Sequence, residues 1–230
     1  MNGRQFRQYD MIDKDRRIKM LKKPVSTPSN AHPVSAPHSN DFIREAKYQL
    51  RREIRSQARA LDPVYCKEAD TAILKKLLAL PEYQKASRIF CFVSRPDEVD
   101  TSPIIQDALS SGKTVAVPRC AGNGIMHAHS INDPDTDLSP GMYGIPEPSP
   151  EAPVMDPAVF NLILVPCCSC SHTGKRLGFG GGYYDRYLEK TTAVTIVLCR
   201  EKLVSSEIPT DSFDRQMDIV LTEAGVFRVR

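Results

Sequence analysis

Long apolar runs are missing from this sequence. Although 41% of the 230 residues are hydrophobic, no stretch approaches the roughly 18 consecutive apolar residues that a membrane-spanning helix needs. The first residues also lack the apolar segment of a secretory signal peptide, and Asp10, Asp13 and Asp15 argue against an organelle transit peptide. We therefore expect a protein that has no contact with a membrane and resides in the cytoplasm.

A strong charge of one sign is also absent from most of the chain. The net charge of +3 comes from residues 1–40, which hold eight Lys or Arg and three Asp. The remaining residues carry 23 basic and 25 acidic side chains, a balance that does not favour nucleic-acid binding. Seven scattered cysteines form no disulfide framework and predict free thiols in a reducing compartment.

Composition divides the chain into a tail and one domain. Residues 4–23 are basic, and residues 24–40 are rich in Pro, Ser, Asn and His, a composition typical of disordered segments. We expect residues 1–40 to be a disordered tail and residues 41–230 to form a single α/β domain. No internal repeat is visible in the sequence.

Apolar periodicity predicts alternating helices and strands in residues 41–230. Helices are expected along the apolar stripe of residues 50–61, from Asp62 onward, and from Ser102 to the stop at Gly112. Strands are expected at 88–94, 114–117, 125–130, 160–165, 193–198 and 219–222. Strands separated by helices predict a mostly parallel central sheet with helices on its faces. Ligands of such sheets bind at the carboxyl ends of the strands.

Residues 174–188 are the most informative segment, because four glycines fall within five residues and a helical pattern follows. A glycine-rich turn between a strand and a helix lets backbone N–H groups approach an anion. Lys175 and Arg176 can pair with phosphate oxygens, and Asp185 is a candidate Mg²⁺ ligand. The segment matches neither the Walker A loop nor the dinucleotide fingerprint. A phosphate site and a tight packing turn both remain open from composition alone.

The cysteine-rich run at Cys167, Cys168 and Cys170 contains a C-x-x-C spacing, with His172 two residues on. A structural zinc site needs a second ligand pair, and the sequence shows none with metal spacing. We therefore interpret these cysteines as small buried residues at the end of a strand.

Other polar residues can be interpreted from their pattern. From pattern alone, Lys47 and Arg51 are expected on a solvated helix face, and His127 and His129 in structural or solvent-facing roles. Glu98 either solvates a turn or accepts hydrogen bonds from the N–H groups of a heterocycle.

Several motifs occur together in a fixed order: KYQLR at 47–51, DEVDT at 97–101, VPR at 117–119, GIPEP at 144–148 and RLGFGGGYYD at 176–185. Pro209, Asp214 and Asp218 complete the series. In this order and spacing, residues 47–222 resemble the 5-formyltetrahydrofolate cyclo-ligase family. The resemblance implies a Rossmann-like, three-layer αβα fold and a monomer.

The resemblance also implies an activity. Such a ligase uses ATP and Mg²⁺ to close 5-formyltetrahydrofolate, with or without a polyglutamate tail, to 5,10-methenyltetrahydrofolate. The formyl oxygen takes the γ-phosphoryl group of ATP, N10 attacks the activated carbon, and ADP and phosphate are released. Such phosphoryl transfer depends on positioning and on the neutralisation of charge.

Matching positions imply roles for individual residues. Asp185 and Asp214 would hold Mg²⁺, and Arg176 would be the catalytic cation at the transferred phosphoryl group. The implied nucleotide contacts are Lys47, Arg51, Arg176, Leu177, Gly178, Phe179, Gly180, Gly181, Gly182, Tyr183 and Tyr184. The implied folate contacts are Val93, Glu98, Tyr143, Phe179, Gly180, Gly181, Gly182 and Tyr183.

The sequence departs from the family pattern at a few of these positions. Some members have a cation in the glycine loop where this chain has Phe179 and Gly181, and a tryptophan is common where it has Tyr143. The run at 167–171 replaces a Gly-apolar-Ala-Phe-Asp pattern, so that Ser171 stands where an aspartate is usual.

Two other functions remain open at this point. The same fold could serve a non-enzymatic protein that sequesters folate or binds RNA, or an enzyme that acts on a sugar phosphate. Both potential metal carboxylates are present, which favours the ligase over a binding protein.

Overall fold

A computed structural model describes residues 39–229 of the chain. The predicted tail at residues 1–40 lies outside the described residues, except for its last two positions, which begin the first helix. Within the described range the helices are α1 (Ser39–Arg59), α2 (Pro63–Ala79), α3 (Pro81–Lys85), α4 (Ser102–Ser110), α5 (Pro134–Asp137) and α6 (Tyr183–Leu188). In this range no helix is both long and apolar enough to cross a lipid bilayer.

The strands in chain order are β1 (Arg88–Cys91), β2 (Thr114–Gly122), β3 (Ile125–Ile131), β4 (Leu138–Pro140), β5 (Pro146–Pro148), β6 (Val154–Met155), β7 (Leu162–Val165), β8 (Ser169–Cys170), β9 (Arg176–Leu177), β10 (Val194–Leu198), β11 (Ile219–Leu221) and β12 (Val226–Arg228). Eight of them form one sheet in the order β12-β11-β10-β7-β1-β2-β3-β6. Strands β11, β10, β7, β1 and β2 are mutually parallel. At one edge β12 pairs antiparallel with β11, and on the other side β3 pairs antiparallel with β2 and the edge strand β6 antiparallel with β3. The predicted mostly parallel sheet is confirmed.

Alternating side chains of the central strands pack into two separate hydrophobic cores, one on each face of the sheet. Ile89 of β1 packs with Ile73 of α2 on one face of the sheet. Phe90, the next residue, packs with Ile54 of α1 and Leu188 of α6 on the other. Because successive strand residues point to opposite faces, helices cover both sides of the sheet. The architecture is therefore the expected three-layer αβα sandwich.

Local signals set the helix boundaries as the sequence predicts. Asp62 caps α2 through its side chain, which accepts a hydrogen bond from the N–H of Val64, and Pro63 takes the first helical position. Helix α4 begins at Ser102, and Gly112, with φ of 73°, follows its end. These residue types satisfy the free backbone groups at helix ends or adopt the left-handed conformation without strain.

Two strand predictions were wrong in length. Strand β1 ends at Cys91 rather than residue 94. Beyond it, the Thr101 hydroxyl donates to the carbonyl of Phe92 and accepts from the N–H of Ser94, which occupies backbone groups that a strand would use. Strand β2 continues through Pro118 to Gly122. Its pairing with β1 stops at Ala116, so Pro118 lies where only β3 is a neighbour, a setting that tolerates proline.

The glycine-rich loop does not connect a sheet strand directly to a helix, and that expectation is corrected. A small antiparallel hairpin, β8–β9, lies between β7 and the loop. The following helix, α6, has only six residues, and Gly182 precedes it with φ of 65°. A helix this short has a small dipole, so charged side chains must supply most of the attraction for an anion here.

Candidate active site

The predicted site residues come from loops at the carboxyl ends of parallel strands. The segment with Glu98 follows β1, the cysteine-rich run follows β7, and Arg200 follows β10. Because β7 lies between β1 and β10 in the sheet, the three loops are neighbours. The site therefore occupies the edge at which α/β sheets bind ligands.

Arg176 is a buried cation of the site, with 6% of its surface exposed. Its Nη2 lies 2.7 Å from Oδ1 of Asp185, and its Nη1 donates to the carbonyl of Pro166 at 3.2 Å. Its Nε is buried and has no partner among the described residues. A buried guanidinium N–H without an acceptor is costly, so this group is suited to bind an anion.

Arg51 reaches the glycine loop from helix α1. Its Nε donates to the carbonyl of Gly178 at 2.8 Å, and within residues 39–229 its two terminal nitrogens form no hydrogen bond or ion pair. Burial lowers the pKa of the guanidinium, although arginine stays charged at neutral pH. Arg51 therefore presents a free, fixed pair of donors beside the loop.

Glycine is favoured at two loop positions, by close approach at one and by backbone conformation at the other. A Cβ at residue 178 would lie 2.8 Å from Nη1 of Arg176, closer than real side-chain contacts allow. Gly180 has φ of +103°, a conformation that residues with a side chain rarely adopt, and a Cβ at this position would lie 3.7 Å from Cζ of Arg51. Gly178 thus lets the Arg176 guanidinium approach the loop backbone, and Gly180 permits the backbone conformation of the loop beside Arg51.

Lys47 is buried, with 8% of its surface exposed, so the expectation of a solvated helix face was wrong for this residue. Its Nζ donates to Oδ2 of Asp211 at 2.8 Å and to both oxygens of Asp214, at 2.8 and 2.6 Å. Hydrogen bonding to Lys47 is the main cause that lowers the pKa of Asp211. Sequence reasoning missed Asp211, for which the spacing Asp-x-x-Asp was the available signal.

The two carboxylates predicted to hold Mg²⁺ are each paired with a predicted nucleotide-binding cation. Asp185 contacts Arg176, and Asp214 contacts Lys47. Among the described residues the two carboxylates have no shared hydrogen-bond or ion-pair partner. In this arrangement a divalent cation would compete with the two side-chain cations for carboxylate oxygens.

Glu98 lies in the turn after β1 and is 9% exposed. The N–H of Arg95 donates to its Oε2 at 2.8 Å. Burial raises the pKa of Glu98 to about 7, which the hydrogen bond from Arg95 only partly offsets. The guanidinium of Arg95 stacks over the ring of Phe179 at 4.2 Å, and this contact joins the Glu98 turn to the glycine loop. Val93, half-buried, precedes the turn and packs against the core.

Arg200 follows β10 at the same edge of the sheet and fixes the Glu98 turn, and sequence reasoning missed it. Its Nη2 donates to the carbonyl of Glu98 at 2.5 Å, and its Nη1 to the carbonyl of Asp97 at 3.3 Å. The same guanidinium pairs with both carboxylate oxygens of Asp70 at 2.8 and 2.9 Å. These partners lie about a hundred or more residues away in sequence, so no local pattern could reveal them.

Tyr143 and Tyr183 form a pair at the open side of the site. Tyr143 is 67% exposed and has a positive φ of 61°. Its hydroxyl lies 3.1 Å from that of Tyr183, and the two rings meet edge to face with centroids 6.3 Å apart. The hydrogen bond from one hydroxyl to the other raises the pKa of Tyr183 to about 12. An exposed ring in a strained backbone conformation is available to a flat ligand.

Some predicted contact residues face inward instead. The Leu177 side chain is 1% exposed and belongs to the core, so only its backbone could reach a ligand. The Tyr184 ring stacks on Phe90 at 6.1 Å, and its buried hydroxyl has no partner in the described range. Gly181 is fixed through its carbonyl, which accepts from Arg186 Nη2 at 2.6 Å, and Gly182 precedes α6.

Two of the sequence motifs contact each other at the end of β2. Arg119 donates through Nη1 to the carbonyl of Pro148 at 2.6 Å, and Glu147 accepts from the N–H of Cys120 at 3.2 Å. The VPR and GIPEP segments therefore form one structural unit, and Tyr143 directly precedes its second segment in the sequence.

The cysteine interpretation is confirmed in part. Cys168 and Cys170 are buried at 5% and 0% exposure, and Cys167 is half-buried. However, the fold brings Cys199 to them, and the sulfur atoms of Cys167, Cys170 and Cys199 lie within 4.8 Å of one another. His129 is buried, with Nδ1 2.8 Å from the carbonyl of Ala152, which agrees with its expected structural role.

Comparisons with known proteins agree on one family. The sequence model of the 5-formyltetrahydrofolate cyclo-ligase family matches residues 43–223. The chain is 30% identical over 198 residues to a protein of Schizosaccharomyces pombe named "Probable 5-formyltetrahydrofolate cyclo-ligase", with 79% of this chain and 97% of that protein covered. It is also 30% identical over 194 residues to the 5-formyltetrahydrofolate cyclo-ligase of Mus musculus, covering 79% and 95%.

A solved structure agrees with these relatives. The NMR structure of Aquifex aeolicus 5,10-methenyltetrahydrofolate synthetase superimposes with a TM-score of 0.72 at 28% sequence identity. The match covers 80% of this chain and 93% of that one.

Proposed function

The chain belongs to the 5-formyltetrahydrofolate cyclo-ligase family, and we propose that it is a ligase that closes 5-formyltetrahydrofolate to 5,10-methenyltetrahydrofolate with ATP and Mg²⁺. One observation carries the ATP part of this proposal: the buried Arg176 keeps an unpartnered Nε beside a glycine loop with no room for a side chain at residue 178. An anion at this place would satisfy the Nε donor.

The chemistry explains why such a site is needed. The oxygen of a formamide is a poor leaving group until it is phosphorylated. Transfer of the γ-phosphoryl group to this oxygen, followed by attack of N10 on the formyl carbon, expels phosphate and leaves ADP. Fixed positive charge at the transferred group stabilises the transition state of the first step, because charge spreads over the phosphoryl oxygens.

Arg176 and Arg51 are the groups that we assign to the phosphates. Arg176 is held by Asp185 and the carbonyl of Pro166, so its unpartnered Nε needs little reorganisation to bind an oxygen. Arg51 is anchored through Nε to Gly178 and offers its terminal nitrogens. Lys47 would reach a phosphate by leaving one of its two carboxylates.

The donor set also fits Mg²⁺. Asp185 and Asp214 supply the carboxylate oxygens that this hard cation prefers, and Mg²⁺ would share these carboxylates with Arg176 and Lys47. Bound Mg²⁺ would neutralise charge on the nucleotide phosphates. We assign Asp185 and Asp214 as the residues that would hold it.

Glu98 and Tyr143 are the residues that we assign to the folate. The buried Glu98 carboxylate is suited to accept hydrogen bonds from the N–H groups of a pterin ring. Tyr143, exposed and paired with Tyr183, offers a face for stacking, and Val93 and the backbone at 179–183 would complete the pocket.

A direct assay tests the proposal. Purified protein, 5-formyltetrahydrofolate and ATP–Mg²⁺ should give the absorbance of the methenyl product, and omission of ATP should abolish it. Replacement of Mg²⁺ by a chelator should also stop the reaction. Product formed at the same rate without ATP would contradict the phosphorylation step, and no product under any condition would contradict the ligase assignment.

We further expect a monomer in the cytoplasm, acting on folates with or without a polyglutamate tail. Light scattering of the purified chain tests the monomer, and fluorescence microscopy of a tagged chain tests the location. A comparison of KM for monoglutamate and polyglutamate substrates tests whether the polyglutamate tail of the folate affects binding.

A further inference from the structure

Three cysteine sulfurs converge where two parallel strands end. Strands β7 and β10 pair in parallel with Val165 opposite Val197. Cys167 and Cys199 each lie two residues beyond this pair, so they are neighbours. The β8–β9 hairpin returns Cys170 to the same point, and the sulfur atoms of all three lie within 4.8 Å of one another.

The backbone around this cluster is fixed before any ligand arrives. The N–H of Cys168 donates to the carbonyl of Leu177 at 2.8 Å, and the carbonyl of Cys170 accepts from the N–H of Ser205 at 2.9 Å. The Ser169 hydroxyl donates to the carbonyl of Leu203 at 2.6 Å. A metal site is strong when its ligands are held in place by such surrounding contacts.

The spacing of the sulfur atoms fits a metal ion. Zn²⁺ binds thiolate sulfur at about 2.3 Å in tetrahedral geometry, which separates the sulfurs by about 3.8 Å. The cluster would need to contract by about 1 Å at most to reach that separation. Cys170 and Cys199 are buried, so competing water is largely excluded from them.

A fourth position remains accessible. Cys167 and Cys199 line a small cavity whose wall also includes Glu98, Arg200 and Phe92. Three protein ligands with a fourth position open to water or another small ligand is a common zinc arrangement. Thiolate sulfur also selects thiophilic cations over Mg²⁺.

From this geometry we propose that Cys167, Cys170 and Cys199 bind one Zn²⁺ ion through their three sulfur atoms. The site is separate from the proposed ATP and Mg²⁺ residues and does not depend on the proposed ligase activity. Binding replaces three S–H bonds with three Zn–S bonds and releases three protons to solvent.

Co²⁺ and Zn²⁺ alone are the probes. The reduced full-length protein, stripped of metal, should bind about one Co²⁺ with an intense sulfur-to-metal charge-transfer band, and Zn²⁺ should displace it. Each of Cys167→Ser, Cys170→Ser and Cys199→Ser should weaken Zn²⁺ binding by at least about tenfold. Cys168→Ser is the matched control, because this buried cysteine lies between two of the ligands but outside the cluster.

X-ray absorption at the zinc edge measures the ligands of Zn²⁺ in the unmodified protein, so it tests the proposal even if a variant fails to fold. The unmodified protein should show three sulfur neighbours at about 2.3 Å. A disulfide within the cluster in place of metal binding, a first shell of nitrogen and oxygen only, or an effect of Cys168→Ser equal to the other three would each overturn the proposal.

Discussion

At the residue scale, Arg176 combines burial with an unpartnered N–H, the feature on which the proposed phosphate contact rests. Its side chain is 4% exposed, and its guanidinium is anchored by Asp185 and leaves one N–H without an acceptor among the described residues. The neighbouring Lys175 is exposed and enters no side-chain hydrogen bond or ion pair in the described part of the chain. The two cations differ in environment although they are adjacent in sequence.

Arg176→Ala should therefore lower kcat by about 100-fold, equivalent to about 3 kcal/mol, because a preorganised donor at the phosphoryl group is lost. Lys175→Ala should leave kcat within about threefold of the unmodified protein. Initial rates at saturating ATP and folate measure both, with thermal unfolding as the check on folding. Equal losses for the two variants would show that Arg176 has no special role.

Glu98 predicts a pH dependence of folate binding. Its pKa is raised to about 7 by burial, and only the ionised carboxylate accepts hydrogen bonds at both oxygens. Affinity for 5-formyltetrahydrofolate should thus fall by about tenfold as pH drops from about 8 to about 6. Calorimetry across this range should show the dependence in the unmodified protein and its loss in Glu98→Gln. A flat profile in the unmodified protein would contradict the assigned role.

The same substitution has a second, independent readout. A carboxyl group whose folded pKa is raised contributes stability below its unfolded pKa and loses it as pH rises through the folded value. For Glu98 this window runs from 4.5 to about 7. Glu98→Gln should consequently raise the free energy of unfolding by about 3 kcal/mol at most above pH 7, and the gain should vanish as pH falls toward 4.5.

Residue-scale prediction from sequence failed where partners are distant. The resemblance placed Lys47 and Asp214 in the site, but the structure adds Asp211 and a buried environment for Lys47. Cys199 joins the cysteine cluster only because β7 and β10 are paired. Sequence spacing describes neighbours within an element, whereas these contacts depend on strand order.

The glycine loop permits a prediction at the scale of an element. Gly180 has φ of +103°, and a Cβ placed there would have Arg51 as its nearest neighbour at 3.7 Å, whereas Gly112, with φ of +73° just after α4, has nothing within 4 Å of such a Cβ. Alanine should destabilise both positions by about 1 kcal/mol through backbone strain. Gly180→Ala should also lower ATP affinity by about tenfold, because relief of the strain at this φ would shift the loop backbone that is proposed to bind the nucleotide.

Calorimetric titration with ATP–Mg²⁺ and thermal unfolding separate the two effects. Gly112→Ala controls for strain alone and should bind ATP like the unmodified protein. If both alanine variants bind ATP normally, the loop backbone does not contact the nucleotide.

Helices with long apolar patterns were predicted from the sequence. Strands whose existence or length depends on pairing with a partner strand were not. Helices α1, α2 and α4 follow from apolar stripes and from caps such as Asp62. The β8–β9 hairpin has only two residues in each strand, too few for any periodicity. Strand β2 extends beyond Pro118 because β3 pairs with it, a tertiary effect that overrides the local signal.

At the scale of the whole molecule, the parallel topology explains why the site is assembled from segments spread along the chain. Strands β1, β7 and β10 end at one edge of the sheet, so the loops that carry Glu98, the cysteine cluster and Arg200 meet there. Alternation of helices and strands predicts this architecture. It does not determine the strand order, which in turn decides the partners of Arg200.

The site residues and the family match all fall within the part of the chain that the structure describes. The match covers residues 43–223, and α1, which carries Lys47 and Arg51, begins at Ser39. A chain that starts at Ser39 should consequently keep kcat and both KM values within about twofold of the full chain, since each contact proposed for ATP and folate is retained. Steady-state kinetics of the two chains measure this.

A second truncation that starts at Leu50 removes Lys47 together with the first half of α1 and should lose activity. If the chain starting at Ser39 lost more than about tenfold in kcat/KM, a loss of about 1.4 kcal/mol, residues 1–38 would have to contribute to the transition state, and the assignment of the site to residues 47–214 alone would be wrong.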